Sequence, residues 1–202
     1  DHYKVPRVAF VNKMDRVGAN FSKVVKEMHD KLGANAVPIQ LPIGSEDNFK
    51  GVIDLVSMKA YLFEEKVDNN FKEAPIPEDM AEEVKKARHD LVEKLAEHDH
   101  DIMEKYVHDV KVSEDEIRVA LRKAVIKDLF VPVLCGSAFK NKGVQMLLDS
   151  ICELLPSPLD IEDVKGIDPE SDKEVVRKTA DDEALCALCF KITTDPYVGR
   201  IT

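Results

Sequence analysis

Apolar positions along the chain fall into two similar strand–loop–helix units. The first has a short apolar run at residues 7–11, a polar loop, and a helix over 21–32 with apolar residues three or four positions apart. The second repeats this order with a strand over 129–135 and a helix over 144–155. Near-continuous apolar strands that alternate with helices are typical of a parallel sheet covered on both faces. We therefore expect the two strands to be neighbours in an α/β fold.

The residues between these units, 33–128, are predicted to form an inserted α+β subdomain, because connections within α/β units are usually only a few residues long. Short β-rich runs broken by Gly, Asn and Asp predict a small antiparallel sheet in its first half. Apolar residues at helical spacing over 84–106 predict a long helix in its second half. Ser113 and Glu116 have the spacing of a capping box for the next helix.

The C-terminal residues have a different character. Residues 161–182 are polar and weakly periodic, so they are predicted to be a linker into strands over 183–202. The run ALCALCFKI is predicted to be one of these strands, in which Cys186 and Cys189 point to opposite faces and do not form a metal or redox pair.

Composition narrows the classes of function. A net charge of −10 over 202 residues argues against a general nucleic-acid or anionic-membrane surface. No apolar run is long enough to cross a bilayer, and four scattered cysteines suggest reduced thiols, so we expect a cytoplasmic protein without a membrane partner. His98 and His100, two positions apart on a predicted helix, cannot easily share a metal, and no metal site is expected.

Polar residues follow both predicted parallel strands, where α/β sheets bind ligands. An ionised Asp15 can accept hydrogen bonds from the two adjacent donors of guanine, N1–H and the 2-amino group, which adenine does not offer. We expect Asn12 to bond the opposite edge of the base or to tie the neighbouring loops together, and the Lys13 stem to lie along the ring. The loop at Ser137 and Ala138 is expected to offer a backbone N–H to the guanine O6, and the Ser137 hydroxyl to orient Asp15. The alternative is that these residues only form turns after the strands.

These motifs carry a family resemblance. NKMD at 12–15 and GSA at 136–138 resemble the two base-recognition motifs of translational GTPases. The longer runs GANFSKVVKEM, VPIQLPIGSEDNFKGVIDLVSMKAY, CGSAFKNKGVQMLLD and FKITTDPYVGR resemble the bacterial elongation factor G family. The resemblance implies that 1–32 and 129–160 are the C-terminal part of a P-loop GTPase sheet, that 33–128 are the inserted G-prime subdomain, and that 183–202 begin a β-barrel domain II.

The phosphate-binding pattern GxxxxGK[ST] is absent from the chain. The resemblance implies that the phosphate loop, the switches and the Mg²⁺ ligands precede residue 1 and that GTP or GDP is the nucleotide. It also implies a parent GTPase that promotes ribosomal translocation of tRNA and mRNA, whereas this chain alone is expected to be inactive. Release factor three and the tetracycline-resistance ribosomal protection proteins are the alternatives within the family.

An acidic face runs along the long predicted helix. It comprises Glu83, Asp90, Glu93, Glu97 and Asp101. A solvated helix face is the simplest interpretation, but the resemblance implies that the ribosomal stalk protein docks here, closest to Asp90, Glu93 and Glu97. Lys86 and Lys94 interrupt this face. A second hypothesis for the chain is therefore an interaction module that binds the stalk.

Overall fold

The computed structural model describes residues 3–63, 71–160 and 163–201. The chain divides into two compact units, Asp1–Leu155 and Pro156–Thr202. The strands of the first unit are β1 (Ala9–Val11), β2 (Ala36–Pro38), β3 (Gln40–Ile43), β4 (Gly51–Asp54), β5 (Lys59–Phe63), β6 (Phe71–Ala74) and β7 (Val131–Cys135). Its helices are α1 (Phe21–Leu32), α2 (Ala81–Ala96), α3 (His100–Val107), α4 (Glu114–Ile126) and α5 (Val144–Leu154).

A parallel sheet forms the base of the first unit. Among the described residues its strand order is β1-β7-β2, with β7 parallel to both neighbours. All five residues of β7 are buried, as expected for a strand covered on both faces. The expected α/β fold and the pairing of the two apolar strands are therefore confirmed. Both strands are shorter than predicted, beginning at Ala9 and at Val131.

The inserted residues form their own antiparallel sheet in the order β3-β4-β5-β6. This sheet begins later than the predicted insert. Strand β2 lies within 33–128, yet it pairs with β7 in the parallel sheet, in the register Ala36 to Val131. Ala36 and Val37 are buried there, so this short run adds to the core of the parallel sheet before the chain turns into the insert.

The long predicted helix is two helices, α2 and α3. Asp99 separates them: its side chain accepts hydrogen bonds from the N–H groups of Asp101 and Ile102 and so starts α3. The expectation that His98 and His100 share one helix is therefore wrong. His98 lies in the connection, where its ring packs edge-on against Phe130 with centroids 5.4 Å apart.

Helix ends follow the local signals in the sequence. Asn20 Oδ1 accepts from the Lys23 N–H at 2.9 Å and starts α1, which ends at Gly33 with φ of 60°. The Ser113–Glu116 capping box at the start of α4 is also confirmed.

The second unit contains two antiparallel ribbons. They are β8 (Val164–Ile167) with β9 (Glu174–Arg177) and β10 (Thr193–Asp195) with β11 (Gly199–Ile201). The first ribbon falls within the predicted linker. The weak periodicity of this segment did not indicate that it forms a hairpin. Residues 184–192, predicted to be a strand, lack regular structure, because a strand needs a neighbour and no described strand of this unit pairs with them. The described residues of this unit form no closed barrel.

None of the helices within the described residues is both long and apolar enough to traverse a bilayer.

The capping box makes the stability of α4 depend on pH. A hydrogen bond from the Lys105 ammonium, together with bonds from the Ser113 N–H and hydroxyl, lowers the pKa of Glu116 from 4.5 to about 2. A carboxylate with a lowered pKa in the folded state stabilises the fold above its unfolded pKa. This contribution is lost as the pH falls from about 4.5 to about 2.

We therefore predict that Glu116→Gln lowers the free energy of unfolding at pH 7 and that its difference from the parent chain shrinks by pH 3. Urea unfolding at both pH values measures this difference. Asp115→Asn, in the same first turn of α4, is the control and should leave the pH dependence unchanged. A difference that persists undiminished at pH 3 would contradict the role of the ionised carboxylate.

Strand β1 lies at the edge of the parallel sheet, since it pairs with β7 and with no other described strand. An unprotected apolar edge is a template for pairing with another chain. We predict that the amides of β1 exchange faster than those of β4, which has a partner on each side, and that the apparent mass rises with concentration. Amide exchange and light scattering measure both properties. A monomer at every concentration, with β1 as protected as β4, would contradict this prediction.

Candidate functional site

The two polar loops predicted from the sequence lie side by side. Parallel pairing of Val11 with Cys135 ends β1 and β7 at the same edge of the sheet. The loops then bond to each other, because the Gly136 N–H donates to Val11 O and the Met14 N–H donates to Gly136 O, both at 3.0 Å. The structure thus brings together the NKMD and GSA segments.

Asn12 connects the two loops through its side chain. Its Oδ1 accepts hydrogen bonds from the backbone N–H of Lys13 at 2.8 Å and of Ala138 at 2.9 Å. Of the two roles considered for Asn12, the connection between loops is the one observed. It also occupies the Ala138 N–H, which was expected from the sequence to donate to a base. In this conformation a ligand oxygen would have to share or replace the Asn12 bond.

Asp15 is a shielded and ionised carboxylate. Its side chain is only 7% exposed, and its Oδ2 lies 3.6 Å from the Lys140 Nζ. The nearby Ser137 hydroxyl is the main cause that lowers the pKa of Asp15, with smaller contributions from the Asp15 N–H, Lys140 and Arg16. At neutral pH the group is therefore an anion that can only accept hydrogen bonds.

Ser137 is held rigidly beside this carboxylate. Its N–H donates to Lys142 O and its carbonyl accepts from the Lys142 N–H, both at 2.9 Å. The buried Ser137 Oγ meets hydrogen-bond geometry with no described atom, yet it lies close enough to Asp15 to lower the pKa of that carboxyl. A buried hydroxyl with spare donor capacity beside an anion is suited to orienting that anion.

Close packing fixes the backbone of the second loop. A β-carbon at Gly136 would lie 2.3 Å from Lys142 O and 2.6 Å from Phe10 Cζ, so only glycine fits. Lys13, in the first loop, has φ of 64°, the left-handed conformation that few non-glycine residues adopt. Its side chain is exposed. The site is thus a rigid edge with one shielded carboxylate.

Comparison with known proteins identifies the family. Residues 1–157 match the model of the elongation factor Tu GTP-binding domain. The chain belongs to this GTP-binding domain family. It is 55% identical to an elongation factor G of Cytophaga hutchinsonii over its whole length, but it spans only 29% of that relative. The resemblance predicted from the two base motifs is therefore confirmed.

A solved structure gives the same result for the fold. A crystal structure of a Thermus thermophilus protein matches 98% of this chain with a TM-score of 0.74 and 27% identity, and the chain covers 27% of that protein. The mixed α/β fold is thus shared with a longer protein.

Three residues near the two polar loops were not predicted from the sequence; residues 12–18 are called here the first base loop and residues 136–142 the second base loop. Lys140 pairs with Asp15, Lys142 closes the GSA turn, and Glu46 contacts the NKMD loop. The two lysines follow the GSA motif closely in the sequence, and this closeness could have indicated that they lie near the site. Glu46 lies in the insert and carries no local signal of its position.

The acidic residues predicted along one long helix are exposed, but Asp101 lies on α3, beyond the break at Asp99, so the five residues do not share one helix. Asp90 and Glu93 lie on α2, and Glu97 caps its end, all with exposed side chains. Burial raises the pKa of the Tyr106 hydroxyl, and Glu93 and Asp90 raise it further, so both carboxylates lie close to α3. Asp90 and Glu93 are thus exposed to solvent beside Tyr106.

Magnesium is the ion that the family implies for its nucleotide. No group of three or more His, Cys, Asp or Glu side chains in the described part of the chain could hold a metal ion. The described His, Cys, Asp and Glu residues therefore do not fit a magnesium site, and none of them is proposed to hold a metal.

Proposed function

We propose that this chain is the guanine-recognising part of a translational GTPase of the elongation factor G type. In a longer protein that carries these residues, GTP hydrolysis would promote the movement of tRNA and mRNA on the ribosome in the cytoplasm. The observation that supports this proposal best is the shielded, ionised carboxylate of Asp15 at the shared edge of two parallel strands. The identity with an elongation factor G over the whole chain supports it independently.

Asp15 would recognise guanine through its two oxygens. The anion accepts one hydrogen bond from N1–H and one from the 2-amino group, and both bonds are strengthened by its charge. Adenine presents an acceptor where guanine presents N1–H, so the carboxylate would be left unpaired in a shielded position. The Ser137 hydroxyl would hold the carboxylate in the orientation that this pairing needs.

The remaining base contacts would come from the two loops. Guanine O6 would compete with Asn12 Oδ1 for the Ala138 N–H. A ligand could approach this N–H because its hydrogen bond to Asn12 is exposed. The exposed aliphatic stem of Lys13 would cover one face of the ring. These contacts would select the base and would not involve the phosphates.

Catalysis needs groups that this sequence does not supply. Phosphoryl transfer depends on positioning and on electrostatic stabilisation of the phosphates, for which the GTPases use a phosphate loop and Mg²⁺. The chain has no GxxxxGK[ST] pattern. We therefore expect these residues alone to bind guanine nucleotides weakly and not to hydrolyse GTP.

The acidic face of the insert supports a second proposal, that the ribosomal stalk protein docks on Asp90, Glu93 and Glu97. Their exposed carboxylates lie within about two turns of helix and would attract a basic surface. This role and base recognition are compatible, because they use different elements of the first unit.

A substitution at Asp15 tests base recognition. In a full-length protein that carries this chain, Asp15→Asn should weaken GDP binding by roughly 1.5 to 3 kcal/mol, because a charge-assisted bond is lost. The Asn amide NH₂ opposes the guanine donors but suits the carbonyl of xanthine, so affinity for xanthosine diphosphate should rise. Isothermal titration with both nucleotides measures the change.

Asp30→Asn is the matched control, since Asp30 also begins a DxxG sequence but lies exposed near the end of α1. It should leave both affinities unchanged. Equal GDP affinity in the Asp15→Asn variant and the parent would refute the assigned role of Asp15.

The second prediction tests the docking surface. The double variant Glu93→Lys with Glu97→Lys should weaken binding of the stalk protein's C-terminal domain to this chain, and the loss should diminish at high salt. Glu104→Lys, which also reverses an exposed negative charge but on α3, is the control and should leave binding unchanged. Titration calorimetry at two salt concentrations measures the effect. Binding that is insensitive to the double reversal would remove the acidic face as the docking surface.

A further inference from the structure

The turn between β3 and β4, residues 44–50, reaches out of the insert and contacts the first base loop. We refer to it as the β3–β4 connector. The Glu46 N–H donates to Met14 O at 2.8 Å, and Glu46 Oε1 accepts from the Gly18 N–H at 2.7 Å. These two bonds lie on either side of Asp15. They therefore fix the loop segment on which the carboxylate stands.

The same connector contacts the second base loop. The Lys142 Nζ donates to Phe49 O at 3.0 Å, while the Lys142 backbone pairs with Ser137 through two hydrogen bonds. Lys142 thus joins the connector to the residue beside Asp15. Both loops that hold the candidate base contacts are bonded to one short segment of the insert.

The connector is anchored firmly enough to impose its geometry. The Phe49 side chain is only 1% exposed and its ring lies 6.1 Å from the ring of Phe63 on β5. A β-carbon at Gly44 would lie 2.1 Å from Asn48 O, so the turn is tightly closed. A rigid support of this kind is what keeps a binding group at its working position.

Glu46 itself adopts an unfavourable backbone conformation. Its φ is 56°, in the left-handed region that costs a non-glycine residue free energy. Such a conformation persists only when surrounding contacts hold it, and strained residues of this kind cluster at functional sites. The contacts that hold Glu46 include the two bonds to the first base loop and the Phe49 N–H, which donates to Glu46 O at 3.1 Å.

We propose that Glu46 and Lys142 are positioning residues that set the discrimination of the site for the 2-amino group of guanine. They act by holding Asp15 and Ser137 at the separation in which both carboxylate oxygens face the base. This inference rests on the proposed function, because it concerns how the same site distinguishes bases. It adds that the inserted sheet, and not the parallel sheet alone, determines base selectivity.

A positioning role differs measurably from a structural one. Hypoxanthine has the N1–H and O6 of guanine but lacks the 2-amino group, so inosine diphosphate uses only one of the two Asp15 bonds. A general loosening of the fold would weaken both nucleotides to the same extent. Loss of carboxylate alignment would weaken GDP more than inosine diphosphate and so reduce the ratio of their affinities.

The experiment measures both dissociation constants by isothermal titration in a full-length protein that carries this chain. Glu46→Ala should reduce the preference for GDP over inosine diphosphate roughly tenfold, the order expected for one misaligned charge-assisted bond. Glu46→Gln retains an oxygen that can accept from the Gly18 N–H and should keep the parent preference. Asp47→Ala, an exposed neighbour in the same connector, is the control and should also keep it.

Two further variants guard against misfolding. Glu46→Gly removes the carboxylate but suits the positive φ, so it should fold at least as stably as the parent and still lose the preference. Lys142→Met keeps the aliphatic stem, removes the bond to Phe49 O and should reduce the preference independently. Amide exchange on the present chain should show faster exchange of the Gly18 N–H in Glu46→Ala than in Glu46→Gln.

The outcomes separate this inference from the proposed function. A parent protein that does not prefer GDP to inosine diphosphate would overturn the proposed function and the positioning role with it. A parent preference that Glu46→Ala, Glu46→Gly and Lys142→Met all retain would overturn the positioning role alone. Gly18 exchange that is equally slow in Glu46→Ala and Glu46→Gln would also overturn it, since the bond to the carboxylate would then not protect this amide.

Discussion

The parallel pairing of β1 with β7 is the constraint on which the rest of the first unit depends. It aligns Val11 with Cys135 and so ends both strands at one edge of the sheet, although most of the unit lies between them in the chain. Bringing such distant segments together costs chain entropy, which the wholly buried β7 offsets by removing apolar surface from water. Without this pairing, Asp15 and Ser137 would have no common environment.

The base loops satisfy much of their own hydrogen bonding in the absence of a ligand. Asn12 Oδ1 takes the N–H groups of both Lys13 and Ala138, and Lys140 approaches Asp15. A ligand therefore exchanges existing contacts for its own, and the net gain of each new bond is smaller than its gross strength. In the proposed function, selectivity would depend on the contact that a wrong base cannot replace, which is the pair of bonds to the Asp15 carboxylate.

Sequence reasoning succeeded for local helix signals and for the pairing of two near-continuously apolar strands, β1 and β7. It missed the break at Asp99 and the pairing of β2 with β7. The Ser113–Glu116 capping box acts within one turn of helix, so its residue types were sufficient. The break at Asp99 was hidden because Leu95 and Ile102, on either side of it, are both buried and continue the helical spacing of apolar residues. The residues of β2 were predicted to belong to the insert, because only their pairing with β7 shows that they are part of the parallel sheet.

Ile39 connects the parallel sheet to the insert through its backbone hydrogen bonds. The Ile39 N–H donates to Val133 O on β7 at 3.1 Å, and Ile39 O accepts from the Leu55 N–H of the insert at 3.0 Å. The chain therefore passes from the parallel sheet into the antiparallel sheet without an intervening loop. Since β7 also ends at the GSA loop, a displacement of the insert would shift this loop through Ile39 and both polar loops through the β3–β4 connector. Rigid attachment at two points converts an inserted subdomain into part of the support for Asp15.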